Sequence, residues 1–260
     1  MKKEIYKTLI NPATKEFALE AIKRLLDPLT STENIIQIIT DTKSQYDRKL
    51  IRATVFVQDL DRVSMSKMKR VEEKLKQNFG IKFQLVFCNA FLTHNEQILL
   101  SSVKPGRVIN FVDLENFAWR SLTESKKINN IKNLFNHTLG LEKEHTYIIC
   151  ANFDLINTTK ELLKEVNCDN LIFIQTGGKD CSDLRLVQSI QKLNDLKKLE
   201  KYETITIASG DGFFNSIIDW LENKNFTLNI FGQLNKAHHN LVSRPNFVPL
   251  NEDNKVISKL

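Results

Sequence analysis

From residue 105 onward the chain alternates between two patterns. Short apolar runs lie at Arg107–Val112, Tyr147–Cys150, Leu171–Gln175, Thr204–Ala208 and Phe226–Phe231. Between them, apolar residues recur every three or four positions over about Lys126–His137, Thr158–Val166, Ser182–Leu196 and Phe213–Glu222. Unbroken apolar runs of strand length suit strands covered on both faces, and the longer period suits amphipathic helices laid over them. The alternation predicts an α/β fold, a parallel sheet flanked by helices.

The first hundred residues have a different rhythm. Phe17, Ala21, Ile22, Leu25 and Leu26 are spaced as one helix face, which Pro28 ends. Thr30 and Glu33 have the spacing of a capping box, which predicts a second helix carrying Ile35, Ile36, Ile38 and Ile39. Ala53–Gln58 reads as a strand. A helix follows from about Ser64, with Met68, Val71, Leu75 and Phe79 on one face and Gly80 at its end. Ile81–Phe87 alternates as a strand. The sum is a smaller α+β domain. The stretch SSVKPG at 101–106 breaks the pattern and sets the expected domains at 1–104 and 105–260.

Composition narrows the class. No run of about 18 uncharged apolar residues occurs, so no membrane span is expected. The basic start MKKEIYK is followed by no apolar segment of signal-peptide type, and the expected location is cytoplasmic. Cys88, Cys150, Cys168 and Cys181 form no C-x-x-C pair and read as free thiols. The net charge of +6 is unevenly placed: residues 1–104 hold 18 Lys+Arg against 12 Asp+Glu, whereas 105–260 hold 19 of each. A basic first part suits a polyanionic partner, and equally a set of solvated helix faces.

In parallel sheets flanked by helices, the working site lies outside the carboxyl ends of the strands. Applied here, that rule gathers acids. The first strand of the second domain ends at Asp113, followed by Leu114, Glu115 and Asn116. Thr204–Ala208 runs into Ser209, Gly210 and Asp211. Leu171–Gln175 leads through Gly177, Gly178 and Lys179 to Asp180 and Asp183. Each acid taken alone reads most simply as a turn or helix-cap residue. Three acidic strand ends at one edge, with no His or Cys among them, suit a hard cation, Mg²⁺ or Mn²⁺. Lys179 and Arg185 flank the acids and could reach a phosphate.

Three segments in order resemble the NYN family of PIN-like metal-dependent nucleases, over roughly residues 106–250. VINFVDLENF is similar to the family's apolar strand followed by D-x-x-N; GGKDCSDLRLVQSI resembles its G-K-x-x-x-D and helix; ITIASGDGFFNSIIDWLENKNFTLNIFG resembles its strand, S-x-D-x-x-F turn, helix and next strand. The resemblance implies a PIN-like parallel sheet and metal-dependent endonucleolytic cleavage of RNA, single-stranded or structured. It also implies that such domains can pair as homodimers. Carried over by position, Asp113, Asp183 and Asp211 would hold Mg²⁺ or Mn²⁺. Asn116 would orient Asp113 or a water, and Ser209 would hold the turn and contact substrate. Many members carry a second acid in the third motif where this chain has Phe213, so the second expectation is an RNA-binding module that has lost cleavage.

Other readings are weaker. A phosphatase using a nucleophilic Asp would need a second Asp where Glu115 stands, and no G-x-G-x-x-G follows a strand to hold a dinucleotide. His238 and His239 are adjacent on a predicted helix and diverge, which suits a surface role. Phe117 and Trp119 read as packing residues with a secondary claim to base stacking, and Trp220 as core.

Overall fold

The computed structural model describes residues 12–257, apart from 46–47, 81, 119–121, 165, 167, 169, 177–180 and 225. Two compact units result, Met1–Phe91 and Leu92–Leu260.

The first unit contains α1 (Pro12–Leu25), β1 (Ile35–Gln45), β2 (Arg48–Val57), α2 (Met68–Phe79) and β3 (Lys82–Asn89). Its sheet has the order β1-β2-β3, with β1 antiparallel to β2 and β2 parallel to β3. Helix α2 buries Val71, Leu75 and Phe79 and ends at Gly80, whose φ of 66° lets its amide close on the Lys76 carbonyl at 2.8 Å. The isoleucine run expected to be helical is strand β1. Ile35 and Ile38 enter the core while Ile36 stands 45% exposed, and the pairing with β2 shifts register between Ile35 and Gln37. β-Branched side chains fit a pleated surface better than a helix. The expected cap is absent as well: Thr30 Oγ1 accepts from Asn34 Nδ2 at 2.8 Å instead.

The second unit begins with α3 (His94–Ser102), earlier than the Pro105-Gly106 break. Leu100 and Val103 of this segment belong to the second unit's core, so the helix stays with what buries it. There follow β4 (Val108–Asp113), α4 (Glu124–Asn133), β5 (His145–Ala151), α5 (Phe153–Leu162), β6 (Leu171–Gln175), α6 (Cys181–Asp195), β7 (Thr204–Ala208), α7 (Asn215–Asn223), β8 (Thr227–Gln233), α8 (His239–Val242) and β9 (Phe247–Leu250). The six strands form one all-parallel sheet in the order β6-β5-β4-β7-β8-β9.

Alternation along the central strands separates two cores. Val112, Tyr147, Ile149 and Ala151 face one layer with Ile131, Leu134, Leu155 and Ile156 of the α4 and α5 segments. Ile109, Phe111, Ile148, Cys150, Ile205 and Ile207 face the other, with Leu186, Ile190, Ile218 and Leu221 of α6 and α7. β5 is buried at every position, as a strand covered on both faces must be.

Three local expectations shift. α5 starts at Phe153 rather than Thr158, because Asn152 caps it by accepting from the Leu155 amide at 3.2 Å. β9 is an unexpected strand; Pro249 is tolerated there because β9 lies at the sheet edge. Cys150 and Cys168 are free, but Cys181 is disulfide-bonded, since spacing along the chain does not limit which thiols a fold brings together. Among the described residues no helix is long and apolar enough to cross a membrane.

Candidate functional site

The strand order fixes where a crevice can open. From β4 the chain grows outward through β5 to β6, and from β7 it grows the other way through β8 to β9. Loops leaving the carboxyl ends of neighbouring β4 and β7 therefore diverge to opposite faces. Asp113 is the last residue of β4, Ser209–Asp211 directly follow β7, and Asp183 lies in the first turn of α6.

Asp113 and Asp183 are 2% and 6% exposed, which removes both from the class of solvated caps. The Asp183 carboxyl lies close enough to that of Asp113 to act on its titration as a hydrogen-bonding neighbour. Two carboxyl groups in that relation need a shared proton or a cation between them. Burial is the main influence on Asp113 and pushes its pKa to about 6. Hydrogen bonds from Asp183 and Asn116 oppose that rise, and the nearby charges of Glu115 and Asp211 add to it.

A small polar network orients the pair. Asn116 Nδ2 donates to Asp113 Oδ2 and lies 3.1 Å from Ser209 Oγ. Ser209, fully buried, directs its hydroxyl at Asp113 Oδ2 over 3.4 Å and accepts from the Asp211 amide at 3.2 Å. The other Asp113 oxygen, Oδ1, is buried with no hydrogen-bond partner. An unpaired buried carboxylate oxygen is costly, and a cation would satisfy it.

Asp211 is placed differently from the expected third ligand. It is exposed, and its Oδ1 caps the Phe213 amide at 2.9 Å. Its charge still acts on Asp113. Among the described residues, no three His, Cys, Asp or Glu side chains converge as an ion-holding group. The centre is thus a buried pair with an acid at its rim. Mg²⁺ commonly takes only one or two carboxylates and fills its shell with water and phosphate oxygens, so the pair and its unpaired oxygen fit such an ion.

Other expected residues have other uses. Arg185 is 4% exposed; its Nε lies 3.7 Å from Glu96 Oε1 of α3 and its Nη1 donates to Gln188 Oε1 at 2.9 Å. It ties α3 to α6 and does not face solvent, contrary to its expected phosphate contact. Glu115 accepts at Oε1 from the backbone and side-chain amides of Asn152 at 3.0 and 3.2 Å, and its charge acts on Asp113. Lys179 and Asp180, the Gly177-Gly178 turn and Trp119 lie outside the described residues. Phe117 is fully buried.

Two residues matter that sequence reasoning undervalues. The His238 ring lies over Gly212, where an added Cβ would come within 2.7 Å of the ring, so the Asp211 turn needs glycine there. Asn254, buried at φ 59°, donates to the Phe117 and Asn130 carbonyls at 3.3 and 3.1 Å and accepts from Gln233 at 2.5 Å. Both act through partners distant in sequence, and no local pattern marks them. No protein-family profile, curated protein or solved structure matches the chain.

Proposed function

We propose that the second unit is a metal-dependent phosphodiester hydrolase acting on RNA, with a PIN-like fold and Asp113 and Asp183 as its centre. The observation that carries this reading is the pair of neighbouring buried carboxyls of Asp113 and Asp183, with Asp113 Oδ1 buried and without a hydrogen-bond donor. Mg²⁺ or Mn²⁺ held there would supply charge neutralisation for a bound phosphate and an activated water. Asn116 and Ser209 hold the other oxygen, Oδ2, and so fix the direction of the Asp113 carboxylate. Asp211 adds negative charge at the rim and can hold a water at its exposed side. The ordered resemblance of the three motifs supports RNA as substrate.

A second reading, an RNA-binding module without cleavage, is favoured by one observation: Asp211 is engaged as a cap and no three-ligand group forms among the described residues. The deciding experiment incubates labelled mixed-sequence single-stranded RNA with the full chain in Mg²⁺, in Mn²⁺ and in EDTA, beside Asp113→Asn. Cleavage that requires both metal and Asp113 supports the hydrolase. RNA binding with no cleavage in either metal supports the binding module.

A further inference from the structure

Beside the acid pair, over the carboxyl ends of β5 and β6, lies a cleft of about 610 Å³ lined in part by Ala118, Lys127, Asn152, Phe153, Gln175 and Thr176. Its volume falls in the range of small-ligand sites. Its lining connects to the acid centre through neighbours: Asn152 is hydrogen-bonded to Glu115, whose charge acts on Asp113, and Thr176 Oγ1 lies 3.0 Å from the hydroxyl of Ser182, the residue before Asp183.

The lining has an unusual division of labour. Phe153 is the first residue of α5, yet its ring is 56% exposed and serves no core. The Gln175 amide, exposed at the end of β6, has no hydrogen-bond partner among the described residues. The Asn152 amide, by contrast, is fully engaged, between Leu155 and Glu115. Lys127 stands at the cleft paired with Glu124 at 3.4 Å, and Glu124 and Asp154 line the cleft with it. An open aromatic face and an amide with one donor and one acceptor are the groups that take a base and its hydrogen-bonding edge.

We infer that this cleft is a nucleobase subsite. It takes the base of an unpaired nucleotide next to the phosphate at Asp113 and Asp183, stacked on Phe153 and read by Gln175. The placement of that phosphate rests on the hydrolase reading; recognition of the base does not.

The test separates the two. Ligand-observed NMR measures binding of the four ribonucleosides, with ribose as control, to the full chain and to Phe153→Ala, Phe153→Trp and Gln175→Ala. Fluorescence anisotropy in Ca²⁺ measures a single-stranded RNA octamer and its abasic counterpart. The expected result is nucleoside binding without ribose binding. Phe153→Ala weakens both nucleoside and octamer by roughly five- to a hundredfold, Phe153→Trp restores them, and the abasic octamer is insensitive to position 153. Gln175→Ala alters the preference among the four bases. Nucleoside or octamer affinity unchanged in Phe153→Ala overturns the subsite, even if the wild type cleaves RNA. Affinity lost in Phe153→Ala while the wild type cleaves nothing in Mg²⁺ or Mn²⁺ upholds the subsite and removes the hydrolase reading.

Discussion

Replacing Asp113 by Asn should make the metal-free protein more stable at neutral pH, although it removes a residue of the proposed centre. Asp113 is buried, and its pKa is raised from the usual 3.8 to about 6. A carboxyl raised on folding contributes stability that is complete below the unfolded value and is lost as pH climbs through the folded one. The window is therefore about pH 4 to 6. At about 1.4 kcal/mol per pH unit, the ionised Asp113 costs the fold on the order of 3 kcal/mol at pH 7.5. Asn is close in shape, can keep the bond from Asn116, and can donate to Asp183. For a unit of this size, a change of 3 kcal/mol moves the melting temperature by on the order of 5–10 °C. The assay is thermal unfolding of wild type and Asp113→Asn in EDTA at pH 4.5 and 7.5. The mutant should melt higher at pH 7.5, with the gap shrinking at pH 4.5. Added Mn²⁺ should raise the wild type by about 1.4 kcal/mol at ten times its dissociation constant and leave the mutant unmoved. A mutant that melts lower than wild type at pH 7.5, or a gap independent of pH, would refute the assignment of Asp113 as a strained buried acid.

Ser209→Ala removes the hydroxyl that joins Asn116, Asp113 and the Asp211 amide; a loss of roughly 1–3 kcal/mol in denaturant unfolding is expected, with a larger fall in cleavage than Ser209→Thr gives. Glu115→Gln keeps the acceptor for Asn152 and should melt within about 0.5 kcal/mol of wild type, whereas Glu115→Ala should lose about 1–2 kcal/mol. Arg185→Ala should destabilise by roughly 3–5 kcal/mol, because it leaves Glu96 without its buried partner, and Arg185→Met combined with Glu96→Gln should recover much of that loss. The same Arg185→Met, Glu96→Gln protein should keep the wild-type salt dependence of RNA binding; a slope shallower by about one would place Arg185 on a phosphate after all.

What could be read from sequence depended on how locally each feature is encoded. The strands of the second unit were legible because strands covered by helices carry clustered apolar residues, as Phe111–Val112 of β4, Tyr147–Cys150 of β5 and Ile207–Ala208 of β7 do. Asp113 stood out for the same reason, as an acid ending an apolar run. The run Ile35–Ile39 was not legible, since its apolar positions fit both periods and only pairing with β2 decides between them. The burial of Arg185 was hidden because its partner, Glu96, comes from a helix that a Pro-Gly break separates from the rest of the second unit. The rim position of Asp211 was hidden because an S-x-D turn reads alike whether the carboxylate faces an ion or caps the next turn.

The departure at Phe213 looks different once the pair is in view. Its ring is half exposed and edge-on to Phe214, and its backbone amide is the group that holds the Asp211 carboxylate. An acid at 213 would stand on that same exposed turn, beside Asp211, and not with Asp113 and Asp183. Charge there would add to that of Asp211, which already raises the pKa of Asp113. Phenylalanine at 213 therefore leaves less negative potential at the rim than an acid would, and leaves intact the two buried carboxyls of the proposed centre. In the proposed hydrolase, Phe213 would bear on how tightly an ion is held and how readily RNA enters, while the identity of the centre would rest on the buried pair.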